Sequence, residues 1–153
     1  MRRKDKEIED RELMEFILRR ASICRIALSE NDVPYIVPLC FGHKGNFLYF
    51  HSAKEGRKID MIRKNNNVCF EIEIDTELAE GEDPCNWSMK YYSIIGFGKA
   101  SLVEDIGEKR EAVDIIAEHY SGKSPSEYPE TALHNVAVIK VEIETMSGKK
   151  SGY

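Results

Sequence analysis

Apolar residues recur along this chain with two different periods, and the switches between them mark out its elements. Leu13, Phe16 and Ile17 follow Asp10 at helical spacing, and aspartate is a residue type that caps helix starts. A helix is therefore expected from Asp10 to about Arg20. The next stretch, SICRIALS, alternates with period two: Ile23, Arg25 and Ala27 share one face, and Cys24, Ile26 and Leu28 the other. ENDVP carries turn chemistry, and PYIVPLCFG reads as the second strand. Pro38 within it cannot donate to a ladder, which points to an edge or a bulge. HKGN turns the chain into FLYFHS, the third strand.

A short helix is expected over about 56–65, with Ile59 and Ile62 inward. NNNVCFEIEID then alternates Val68, Phe70, Ile72 and Ile74 with Cys69, Glu71 and Glu73, as in a half-buried strand. TELAEGEDPCN is acidic and rich in turn formers, and is expected as a mobile loop. The long run WSMKYYSIIGFGKASLVE reads as a curved strand, bent at Gly96 and Gly98. DIGE is a capping box that opens a third helix, with Ile106, Val113, Ile116, Ala117 and Tyr120 on one face and Gly122 as its C-cap. KSPSEYPE is expected as a loop. NVAVIKVEIET is the last strand, with Ile139, Val141 and Ile143 on one side, and SGKKSGY a polar tail. The pattern implies six mostly antiparallel strands and three helices, a β-barrel class with helices packed outside. One domain is expected over 1–153, with flexible ends at 1–9 and 147–153.

Composition narrows the function. With 42% apolar and 32% charged residues the chain suits a globular fold, and its net charge of −5 argues against nucleic-acid binding. No apolar run approaches the roughly 18 residues that span a bilayer, and no signal-peptide core opens the chain. A cytoplasmic protein without a membrane partner is expected. Cys24, Cys40, Cys69 and Cys85 are scattered without paired spacing, so a metal site is not expected. The first three are expected as small apolar residues of the core or an interface, and Cys85 in a loop.

The chemistry concentrates at one strand-to-helix corner, FHSAKEGRK. A helix start offers unpaired N–H groups and a positive dipole end, Gly56 admits close backbone approach, Ser52 has a hydroxyl, and Arg57 and Lys58 are cations on the first turn. Cations there oppose the dipole by about 0.3–1 kcal/mol each, which an anion between them would offset. Spacing alone leaves open a second reading, a solvated basic face with Glu55 and Asp60 pairing locally.

The blocks PYIVPLCFGHKGNFLYFHSAKEGRKIDMIRKNNNVCFEI, KYYSIIGFGKASLVED and EKREAVDIIAEHY resemble the nitroimidazole-resistance (Nim) branch of the pyridoxamine 5′-phosphate oxidase-like flavoproteins, over roughly residues 20–145. That resemblance implies a split barrel that binds FMN and works as a homodimer with its flavins at the subunit interface. By the same resemblance Ser52, Arg57 and Lys58 would hold the FMN phosphate at Gly56, with His51 and Ala53 lining the flavin. Arg25, Pro38 and Leu39 would lie along the isoalloxazine. Tyr92 and Ser93 would reach it across the interface, and Trp87 would stack on it. It also implies an oxidoreductase acting on a small-molecule electron acceptor, with NAD(P)H as donor. A non-catalytic flavin or haem carrier on the same barrel is the alternative. The Trp- and Arg-rich C-terminal block of the oxidase that names the superfamily has no counterpart in ETMSGKKSGY, so that reaction is not implied.

Among the histidines, His51 is the candidate for catalysis, since an imidazole can donate a hydrogen bond or move a proton near neutral pH. His43 is expected to be solvated, His119 structural, and His134 to lie in a loop. Glu71 and Glu73 read as the wet face of their strand.

Overall fold

The structure, a computed structural model, describes residues 3–123 and 127–153. Helix α1 covers Arg11–Arg20, and the Asp10 carboxylate accepts from the backbone N–H groups of Glu12 and Leu13, as an N-cap should. Met14, Ile17 and Leu18 are its buried residues, whereas Phe16 lies exposed at its edge. Helix α2 is Arg57–Lys64 and buries Ile59, Met61 and Ile62. Helix α3 is Ile106–Ser121; Asp105 accepts from the Glu108 N–H at 2.9 Å, and Gly122 closes it in the left-handed region. Only Ala112 and Ile116 of α3 are fully buried, and Tyr120 is exposed. A fourth helix, α4, Glu130–His134, stands where loop was expected and contains His134. Of the loop KSPSEYPE, residues 124–126 lie outside the described residues, as do Met1 and Arg2.

The strands are β1 Glu7–Ile8, β2 Cys24–Glu30, β3 Val33–Leu39, β4 Phe41–Lys44, β5 Phe47–Ser52, β6 Asn67–Ala79, β7 Ser88–Val103 and β8 Ala137–Ser151. Their order in one antiparallel sheet is β3-β2-β6-β7-β8-β5-β4, with β1 added on β8. The β-barrel class of the sequence reading stands, but the count of six does not. PYIVPLCFG breaks at Cys40, because the chain leaves one edge of the sheet at Leu39 and enters the opposite edge at Phe41. No ladder joins β3 to β4, so the barrel is split there. Pro38 is on an edge strand, as its missing donor requires.

Two stretches read as irregular are strand. Residues 76–79 continue β6 past a register shift between Ile74 and Glu77, where Asp75 adopts φ 54°. Residues 147–151 pair along β7, and Gly148 also faces Ile8 of β1, so both ends expected to be free are partly held. The bend of β7 comes at the irregularity between Phe97 and Gly98. A side chain at Gly98 would stand 2.1 Å from the Glu142 carbonyl oxygen, a backbone atom that cannot turn away.

The barrel interior holds Phe41, Phe50, Phe70, Ile26, Ile72 and Ile94, all essentially buried, under α1 and α2. A smaller cluster of Tyr49, Val103, Ala112, Ile116 and Val138 seats α3 on the barrel. Cys24 belongs to the core, and its burial pushes the thiol well up. Cys69 is half-buried, while Cys40 is exposed at the crossing between the sheet edges. Among the described residues no helix is long and apolar enough to cross a membrane.

His43 is buried where solvent was expected, with its side chain 8% exposed and Nδ1 3.8 Å from Glu15. Burial pushes its imidazole down; Glu15 on α1 pulls it up, and Arg19 on α1 and His119 on α3 push it down further. His119 is structural as expected, its Nε2 2.7 Å from the Ala21 carbonyl. A depressed histidine leaves the fold neutral while the unfolded chain takes a proton below its ordinary value of about 6.5. Stability is therefore expected to fall as pH drops below that value, no more steeply than about 1.4 kcal/mol per pH unit for this one group. Urea unfolding at pH 7.5 and 5.5 checks it: His43→Gln should flatten the difference, and an unchanged slope would refute the assignment.

A candidate anion site at a strand-to-helix corner

Strand β5 ends at Ser52, and after a short turn α2 begins with Gly56 as its N-cap. Gly56 has φ 124° and ψ 168°, backbone that L side chains rarely adopt, and it caps the helix with no side chain. The Ile59 and Asp60 N–H groups bond to the Gly56 carbonyl. The N–H groups of Arg57 and Lys58 come before that first intrahelical bond and have no partner within the helix. The corner thus presents free donors on open space, since nothing lies within 4 Å of where a Gly56 side chain would be.

Among the described residues neither cation has a carboxylate partner. Asp60 pairs with Arg63 at 3.7 Å instead, and no ion pair to Arg57 or Lys58 forms among the described residues. The local pairing that a merely solvated basic face would use is absent for these two. Arg57 lies over the Tyr35 ring at 4.8 Å, which orients its guanidinium at the inward side of the free edge of β3. Lys58 is half-buried, and that burial pushes its ammonium down with no carboxylate to counter it. The Ser52 hydroxyl donates to the Ala53 carbonyl at 2.9 Å, which leaves its oxygen free to accept and its proton able to turn.

The other expected site residues divide into two groups. Near the corner, Leu39 points inward from the β3 edge, and His51 precedes Ser52 on β5 with its ring beside α3. Arg25 and Pro38 sit opposite each other on the outer face of the sheet. Arg25 is held there by Glu71 and Glu73, each at 3.1 Å. The strand face read as simply wet is thus an ion-paired cluster. Burial and the neighbouring Glu73 push Glu71 up, against the pull of Arg25.

Tyr92, Ser93 and Trp87 are not brought to the same chain's corner. Ser52 pairs with Ala137, whose neighbour Val138 pairs with Val103 of β7. Tyr92 is eleven residues back from Val103 (103 − 92), some 35 Å of strand contour. Tyr92 instead stacks on Tyr153 at 4.8 Å, and Trp87 donates to the Gly81 carbonyl at 3.0 Å while half exposed.

One residue of the site went unread: Tyr35, whose partnership with Arg57 spans two elements. Its alternation within PYIVPL could have placed it inward, but not beneath the guanidinium.

Outside the corner, register aligns Ile36, Ala27, Cys69 and Phe97 across β3, β2, β6 and β7 on the outer face. Ile36 is 61% and Phe97 55% exposed, so the row is an apolar stripe open to solvent.

With this geometry in view, similarity to known proteins can be stated. The family model for pyridoxamine 5′-phosphate oxidase matches residues 9–150. A candidate 5-nitroimidazole antibiotic resistance protein from Bacteroides thetaiotaomicron superposes with a TM-score of 0.82 at 39% identity, over 94% of this chain and 85% of that one. An FAD and haem binding protein from Mycobacterium smegmatis shares the fold, with a TM-score of 0.84 at 17% identity over 97% of this chain and 74% of that one. An uncharacterized protein of Rhizobium meliloti, RA0666, is 37% identical over 65 residues, and the match spans 42% of each chain. This chain therefore belongs to the pyridoxamine 5′-phosphate oxidase family, where it resembles the nitroimidazole-resistance branch.

Proposed function

We propose that this protein binds FMN at the β5–α2 corner and acts as a flavin-dependent oxidoreductase of the nitroimidazole-reductase type, as a homodimer in the cytoplasm. The observation that carries the reading is the corner itself: a side-chain-free glycine cap, unpaired first-turn N–H groups, and two cations without counter-ions among the described residues. A phosphate monoester satisfies all of these at once, because it accepts from backbone and guanidinium and neutralises charge at the positive helix end. Arg57, braced on Tyr35, would grip two phosphate oxygens, while Lys58 would contribute a point charge.

When bound, flavin supplies hydride and single-electron transfer to a small-molecule acceptor, with NAD(P)H as the donor. The chain's own part is to anchor the phosphate, to lay the inward residues of β3 along the ring, and to hold His51 where its imidazole can give a hydrogen bond or proton. Dimerisation would cover the stripe of Ile36 and Phe97 and bring the partner's β7, with Tyr92, Ser93 and Trp87, toward a flavin that one barrel leaves open.

A second reading, haem or flavin carriage without turnover, draws on the His51 ring, which stands beside an apolar cavity with no protein partner among the described residues. The visible spectrum of the purified protein, before and after added FMN, separates the readings. Flavin bands support the proposal, and a Soret band supports haem. A colourless protein that takes up no FMN would overturn the proposal. If flavin binds, oxidation of NADH or NADPH with a nitroaromatic acceptor separates enzyme from carrier, and a native mass tests the dimer.

A further inference from the structure

A cavity of about 440 Å³ lies between α3, α4 and the ends of β4 and β5, a size usual for small-molecule pockets. Val113, Ile116, Ala117, Leu133 and Val136 make its walls almost wholly apolar, and among the described residues no lysine, arginine, aspartate or glutamate lines it. Two tyrosines close it, and both hydroxyls are engaged by the protein. That of Tyr120 accepts from the Phe41 N–H at 3.0 Å and donates to the Ser22 carbonyl at 2.8 Å. That of Tyr128 donates to the Asp114 carboxylate at 2.7 Å. Cys40 lines the same cavity as Tyr120. His51 is then the lining residue whose polar atoms have no partner among the described residues.

These facts select a chemistry. An anion would leave water for a site whose described lining offers no lysine or arginine and a single exposed imidazole, and a charged amine for one without a carboxylate. A plain hydrocarbon would cover the imidazole and leave its N–H unsatisfied. A neutral ring compound with a carbonyl oxygen fills the apolar volume and accepts the one available hydrogen bond. We propose that this cavity binds an uncharged, flat, quinone-type molecule, its rings packed between α3 and α4 and one oxygen accepting from His51. The proposal goes beyond the flavin reading, with which it shares His51 at its mouth, and the quinone binding itself requires no FMN.

The test uses the full chain, with and without FMN, and equilibrium dialysis against 2,3-dimethyl-1,4-naphthoquinone, whose substituted ring positions block addition by the four free cysteines. The neutral quinone should bind at least tenfold more tightly than its ring-sulfonated derivative. Ala117→Phe and Ala132→Phe, each filling the cavity from a different helix, should weaken it at least tenfold, while FMN affinity stays unchanged. His51→Leu, at an exposed position that does not threaten folding, should weaken it about three- to tenfold, the worth of one hydrogen bond. Arg57→Ala with Lys58→Ala should weaken FMN binding at least a hundredfold and leave quinone binding unchanged, so failure of the flavin reading and failure of this one are distinguishable. Equal binding of the sulfonated quinone would overturn the proposal, as would no binding of the neutral one. Unweakened binding in the folded filling variants would also overturn it. Displacement of the quinone by hemin, with a Soret band lost in His51→Leu, would overturn it in favour of a haem site.

Discussion

Replacing Arg57 and Lys58 together with alanine is expected to weaken FMN binding roughly 10²- to 10⁴-fold. Each side chain is assigned one charge-assisted hydrogen bond to the phosphate, a contribution of about 1.5–3 kcal/mol, and each 1.4 kcal/mol is a decade in affinity. The apo protein should respond in the opposite direction. Both residues are cations at the positive end of α2, Arg57 is exposed, and burial already disfavours the charged form of Lys58. Their removal should leave the unfolding midpoint of the apo chain unchanged or slightly raised. Fluorescence titration of FMN and urea unfolding of the apo form measure the two effects separately. An FMN affinity within threefold of wild type would remove the phosphate from this corner. A loss of affinity accompanied by an equal loss of apo stability would mean that the residues serve the fold and not the ligand.

Phe70→Ala is expected to cost about 3–5 kcal/mol of stability, the usual range for truncating a fully buried phenylalanine. The ring is 1% exposed and lies over Gly96 of the neighbouring strand β7. A methyl group on Gly96 would stand 2.2 Å from its Cζ, so Gly96→Ala alone should destabilise through overpacking, by about 1–3 kcal/mol. The two changes share one space, and the double variant should therefore be less destabilised than the sum of the singles. Urea unfolding of the four proteins in this cycle reads the coupling. Strict additivity would show that Gly96 is small for the bend of β7 and not for the ring of Phe70.

Much of the scaffold was legible locally. Asp10, Asp105 and Gly122 act within a few residues of themselves, so their caps follow from residue type. The alternation of Val68, Phe70, Ile72 and Ile74 put the barrel face of β6 inward, because the pleat turns every second side chain the same way. The corner was legible for the same reason. Its glycine and its two cations are consecutive in the chain and share one helix turn, and Ser52 lies only four residues before the glycine.

What escaped the sequence depends on partners far away in it. Residues 147–151 look like a polar tail, yet they are strand, because the backbone of β7 supplies ladder bonds that require no apolar side chain. His43 looks like a turn residue, but α1 and α3 close over it. Cys40 looks like a strand interior and is the crossing between two sheet edges, a fact that exists only once the sheet has curled. The sequence by itself determined helices α1, α2 and α3, the inward faces of most strands and the basic strand-to-helix corner at Gly56, since each rests on propensity, period or capping over short spans. Tertiary structure alone decided that Arg57 is braced on Tyr35, that His51 fronts an apolar cavity, and that Tyr92 lies far from its own chain's corner. Those are distances between residues that only packing brings together or keeps apart.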